Sequence, residues 1–132
     1  MSEKQMLEIG TASAAQVATA QMLFGRVFRE DASWIKNGMD SGFYKAAYVK
    51  ISSVDRYIIV YHVNDQKNLF INAVAQLTAE FSDFAALVEA MTAIAKNHLC
   101  KAIEGITVRR GVVERLQEFG FIPAGVAMTK IL

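Results

Sequence analysis

The side chains best suited to proton transfer, nucleophilic attack or soft-metal binding are two histidines and one cysteine, at His62, His98 and Cys100. His62 stands between Tyr61 and Val63 in an apolar run. It reads either as a general base facing a substrate cleft or as a half-buried strand residue. His98 and Cys100 are two residues apart, with no third donor at zinc or calcium spacing, so no metal is expected. Cys100 lacks a sequence neighbour that would activate a thiol, and reads as a small buried residue opening a strand. Arg26, Arg29, Arg109, Arg110 and Arg115 could gather against phosphate or an acidic partner, or simply solvate helix surfaces. Glu30, Asp31 and Asp40 are carboxylates of a kind common in loops. Tyr44, Tyr48, Tyr57 and Tyr61, with Phe43 and Phe70, make an aromatic-rich set of strands. Base stacking on them would need flanking basic residues that are absent, so no nucleic-acid partner is expected.

These groups must be positioned by regular elements. Ala-rich residues 12–29 have helical spacing and high helix propensity, with Thr11 or Ser13 as cap. Residues 33–37 predict a short helix capped by Ser33 and stopped by Asn37-Gly38. Strands are expected over Phe43–Ile51, Arg56–Val63 and Leu69–Leu77, separated by short polar turns that imply an antiparallel meander. The unbroken RYIIVYHV run predicts a central strand covered on both faces. Phe84, Leu87, Val88, Met91, Ile94, Ala95 and Leu99 then recur at helical spacing, with Ser82 as N-cap and Asp83 in the first turn. Lys96 and His98 fall in the last turn of that helix. Residues 101–108 predict a strand, Arg110–Phe119 a helix ended by Gly120, and Gly125–Leu132 a closing strand.

Composition bounds the class. The chain has 132 residues, 53% of them hydrophobic, with 8 Gly and 1 Pro, which excludes disordered and collagen-like chains. This size predicts one domain over residues 1–132. Fourteen Lys+Arg against 13 Asp+Glu leave a net charge of +1, without a field to draw nucleic acid or an anionic membrane. A single cysteine excludes an internal disulfide and fits a reducing compartment. The N-terminal MSEKQMLEIG lacks a signal-peptide apolar region, and no run of about 20 apolar residues spans a bilayer. The expectation is a cytoplasmic protein without membrane partners.

The element order αα-βββ-α-β-α-β resembles that of the GNAT superfamily of acyl-CoA N-acyltransferases. Its best local piece is the stretch from Thr107 to Phe121, ending in Gly120-Phe121 ahead of the final strand Met128–Leu132. The resemblance implies an α+β fold: a mixed sheet, an antiparallel meander joined to a parallel pair, with helices on both faces. It implies transfer of an acetyl or other acyl group from acyl-CoA to a small-molecule or protein amine. Backbone groups of Ala75 and Leu77 would hold the pantetheine arm. The helix start at Ser82 and Phe84 would meet the pyrophosphate, because orphan N–H groups at a helix start attract phosphate.

Two departures from the family pattern stand out. The segment Gln76–Ala86 has no Gly, Arg or Lys, and its Glu80 and Asp83 would repel pyrophosphate by about 1 kcal/mol or more each. The helical position that carries a proton-donating Tyr in many GNAT enzymes is Leu116, so the catalytic residues stay open. A second reading is therefore a non-catalytic GNAT-like structural or binding module, of the phage-associated kind. A third is an unrelated α+β fold whose aromatic strands line a pocket. An exposed C-terminal strand would also allow a homodimer by edge pairing.

Overall fold

The structure is a computed structural model that describes residues 6–13, 15–20, 33–77, 83–106, 110–124 and 127–132. Its elements are β1 (Leu7–Thr11), α1 (residues 15–20), α2 (Ser33–Asp40), β2 (Lys45–Ile51), β3 (Val54–Val63) and β4 (Leu69–Gln76). They continue with α3 (Phe84–Asn97), β5 (Ala102–Ile106), α4 (Arg110–Glu118), β6 (Ile122–Ala124) and β7 (Ala127–Ile131). The strands form a seven-stranded mixed sheet in the order β1-β2-β3-β4-β5-β7-β6. β4 and β5 pair in parallel, as the expected crossover through α3 requires. Compactness divides the chain into two units, Met1–Val60 with Ala73–Asp83, and Tyr61–Asn72 with Phe84–Leu132.

In the first unit, α1 and α2 lie against a core of Ala20, Ile35, Ala46, Ile58, Val60, Ala73 and Ala75. Ser13 starts α1 with a reciprocal capping box: its hydroxyl accepts from the Gln16 N–H at 3.1 Å, and Gln16 Oε1 accepts from the Ser13 N–H at 2.8 Å. The remainder of the helix expected over 12–29 lies outside the described residues. Tyr57 through Tyr61 are all buried, as the unbroken apolar run of β3 predicts. A two-residue turn at Ser52 and Ser53, both with positive φ, joins β2 to β3.

Three boundaries differ from the sequence-based expectation. First, β1 precedes the helices and pairs antiparallel with β2, making the order β-αα-βββ-α-β-α-ββ. Its LEIGT sequence hides it: Glu8 and Gly10 break the apolar alternation of an edge strand. Both have cross-strand reasons. Glu8 faces Lys50, and Gly10 faces Tyr48, whose ring fills the space a Cβ would need. Second, α2 runs through Asn37-Gly38 to Asp40, and the chain turns instead at Gly42, with φ +81°. Gly38 stays helical because the Tyr44 ring packs onto it: a Cβ there would lie 2.1 Å from the ring. Third, the C-terminal segment is a hairpin of two strands. Ile122 and Pro123 face Thr129 and Met128, and β7 lies between β5 and β6. Among the described residues β6, not β7, is therefore the outer strand on this side, and Pro123 removes an N–H from it.

The second unit packs the apolar stripe of α3 (Leu87, Val88, Met91, Ile94, Ala95), with Leu69, Ile103 and Phe121 also buried. α3 ends in a Schellman geometry: Cys100 N–H bonds to Ala95 O and Leu99 N–H to Lys96 O, with Leu99 at φ +59°. α4 ends the same way on Gly120, φ +90°, as its sequence predicts. The Lys130 ammonium, from β7, donates to the Phe119 carbonyl beside that cap.

β3 and β4 are out of step by one residue. The Asn64 N–H bonds to Asn68 O at their turn, and the Leu77 N–H bonds to Arg56 O at the far end. Eight steps along β3 thus stand against nine along β4, the signature of a β-bulge. Side chains locate it. Phe70 and Asn72 meet His62, whereas Ala73 and Ala75 share a core with Ile58 and Val60. Positions 58, 60 and 62 of a regular strand share one face, so β4 changes parity between Asn72 and Ala73.

Candidate functional site

The predicted cofactor residues fall into different settings. Ala75 is buried in the first unit's core, and Leu77 packs at its margin. The Leu77 N–H is committed to Arg56 O at 2.8 Å. Ser82, along with Glu80, Arg109, Glu30 and Asp31, lies outside the described residues. Asp83 precedes α3 rather than occupying its first turn, and the buried Tyr57 hydroxyl grips its peptide. It accepts from the Asp83 N–H at 3.0 Å and donates to the Asp83 carbonyl at 3.3 Å.

Phe84, the first residue of α3, is half-buried. Its ring lies 5.8 Å from that of Phe119, and the Arg115 guanidinium stands 5.2 Å from its centroid. Arg115 also reaches Glu118 at 3.7 Å and remains about half exposed. The sequence segment 76–86 carries no basic residue, but the fold delivers one from α4 to the start of α3. Spacing along the chain could not reveal this, because 31 positions separate Phe84 from Arg115. Leu116, one residue on, is half-buried and carries no ionisable group.

A second group lies on β3, β4 and β5. His62 Nδ1 is 2.8 Å from Asn72 Oδ1, and the ring stacks on Phe70 with centroids 5.2 Å apart. Asn64 Nδ2 donates to Glu104 Oε2 at 2.6 Å. Asn64 Oδ1 also accepts from the Gln66 and Asn68 N–H groups, so the β3–β4 turn orients the side chain that meets Glu104. The sequence reading did not single out Glu104 or Asn72. The available signal was a charged or amide side chain in the middle of a short apolar strand, in AIEGI and LFINAVAQ. The parallel ladder registers Leu69, Phe70 and Ile71 with Ile103, Glu104 and Gly105, whereas β4 runs on to Gln76.

The other chemical candidates are structural. The Tyr61 hydroxyl and His98 Nε2 lie 3.2 Å apart, and Cys100 is buried beside them. Burial raises the Tyr61 pKa, and the nearby Cys100 adds to the rise. Burial also holds the Cys100 thiol above its ordinary value, partly offset by Lys67, so the thiol is not activated. Asp40 is exposed and pairs with Lys36 at 2.8 Å within α2. Among the described residues no group of three His, Cys, Asp or Glu could hold a metal, and no helix is long and apolar enough to cross a membrane.

No family model and no curated protein sequence matches the chain. Solved structures do. A GNAT family acetyltransferase from Elizabethkingia anophelis with acetyl-CoA bound is 14% identical, with a TM-score of 0.71, covering 96% of this chain and 98% of that one. The ribosomal-protein-S18-alanine N-acetyltransferase from Escherichia coli is 11% identical, with a TM-score of 0.71 over 96% and 94%. Ard1 from Thermoplasma volcanium is 11% identical, with a TM-score of 0.70 over 96% and 97%. The likeness spans nearly the whole of each chain and matches the mixed sheet described above. The chain has the fold of the GNAT acetyltransferases.

Proposed function

We propose that the chain binds an acyl-CoA and transfers its acyl group to an amine. The observation that carries this reading is the likeness, over 96% of the chain, to an acetyltransferase holding acetyl-CoA. The pyrophosphate would meet the start of α3, with Ser82 and Phe84 at the helix entry and the Arg115 guanidinium as its cation. Phosphate bonded to a charged donor is held more strongly than by neutral donors. The pantetheine arm would run along β4 past Ala75 and Leu77. Because Leu77 turns its N–H toward β3, backbone bonds to the arm fall to the alternate residues, Val74 and Gln76. Ala75 and Leu77 then contribute position rather than N–H groups.

Bound acyl-CoA supplies the activated carbonyl, and the protein's part is to place the amine against it. Thermal unfolding with acetyl-CoA tests the reading. At 100 times Kd the stabilisation is about 2.7 kcal/mol. A melting temperature unmoved by millimolar acetyl-CoA and by longer acyl-CoAs overturns it.

A further inference from the structure

Asn37-Gly38 is a pair of helix-stopping residues, yet α2 runs through both to Asp40. Gly38 is held there by the Tyr44 ring: a Cβ would lie 2.1 Å from it, so no larger residue fits. Asn37 is exposed, and its side-chain amide has no hydrogen-bond partner among the described residues. An asparagine followed by glycine is also the pair in which the next peptide nitrogen reaches the asparagine Cγ with least steric resistance, because glycine has no side chain to shield that nitrogen.

The helix keeps this pair inert. In an α-helix the Gly38 N–H is committed to the carbonyl four residues back, that of Trp34. The carbonyls are tied as well: Asn37 O accepts from the Ser41 N–H at 3.1 Å, and Gly38 O from the Tyr44 N–H at 3.0 Å. Ring closure needs a ψ at Asn37 outside the helical well. α2 has only eight residues, and Ile35, Trp34 and Met39 hold it to the core of the first unit. A helix this short depends on packing, and it can open without unfolding the rest.

We propose that Asn37 is a latent modification site guarded by α2 itself. When α2 opens, the Gly38 nitrogen bonds to Asn37 Cγ. The Cγ–Nδ2 bond breaks, and ammonia leaves with the proton that the peptide nitrogen gave up. Water then opens the five-membered imide at either carbonyl, giving aspartate or isoaspartate. Both products place a carboxylate in the last turn of α2, three residues before Asp40 and against the helix dipole. Isoaspartate also adds a carbon to the backbone between Ile35 and Met39, so the two cannot both return to their places. Opening of α2 thus becomes one-way, independently of acyl transfer.

Peptide mass spectrometry of the full chain tests this, with a synthetic peptide spanning residues 33–45 as the unguarded reference. At mildly alkaline pH the chain converts Asn37 about tenfold or more slowly than the peptide. Its rate rises with urea below the unfolding midpoint, and Asn37→Gln abolishes the conversion. In the separated isoaspartate form, α2 amides exchange with deuterium faster than in the parent. Conversion of the native chain at the peptide's rate, no conversion of the urea-unfolded chain, or unchanged α2 exchange in the isoaspartate form overturns the proposal.

Discussion

The Arg115 guanidinium stands over the Phe84 ring at 5.2 Å, so α4 brings a cation beside the first residue of α3. Arg115→Ala is expected to weaken acetyl-CoA binding about tenfold or more, since a charge-assisted hydrogen bond contributes about 1.5–3 kcal/mol. Arg115→Lys keeps part of the affinity. Isothermal titration with acetyl-CoA measures both, and an Arg115→Ala affinity equal to the parent's removes Arg115 from the site.

Leu99 caps α3 with φ +59° and is exposed. A branched side chain is disfavoured there by about 1 kcal/mol. Leu99→Gly should therefore raise stability by about 0.5–1 kcal/mol, against the usual sense of a glycine substitution. Urea unfolding reads the sign.

Gly38 poses the reverse case. Alanine in a helix interior normally gains about 1 kcal/mol over glycine. Here its Cβ would lie 2.1 Å from the Tyr44 ring, which also packs edge-on to Trp34. Gly38→Ala should lose about 1–3 kcal/mol through overpacking. A Gly38→Ala, Tyr44→Leu double variant should recover part of that loss, and denaturant midpoints give the coupling.

Cys100 and Tyr61 both hold their protons more tightly when folded, because burial disfavours the thiolate and phenolate. Between the unfolded and folded pKa the native state binds more protons, so stability falls as pH rises. Stability contributed by these groups is complete below their ordinary values of 9.0 and 10.0 and declines above them. Cys100→Ala should shallow the decline that begins above pH 9, as read by denaturant unfolding at stepped pH. Thiol labelling of the native protein should be slow, with a rate that rises on unfolding.

Much of the fold was legible where burial and periodicity agree. β3 is apolar from Tyr57 to Tyr61 because both its faces are buried there, and α3 shows a full helical stripe. The elements that escaped are those where one contact overrides local preference. Gly10 and Glu8 look wrong for a strand until Tyr48 and Lys50 face them. Gly38 looks like a stop until the Tyr44 ring lies on it. Pro123 conceals β6 because the edge of a sheet tolerates a missing N–H. The candidate site was less legible for the same reason. The Phe84–Arg115 and Asn64–Glu104 pairs join residues 31 and 40 positions apart, and only the folded chain brings them together.

The extra residue in β4 has a hereditary consequence. Loss of a single codon at Asn72–Ala73 would leave the turn at Lys67 intact, yet turn either the alanines out of their core or the asparagine away from its imidazole.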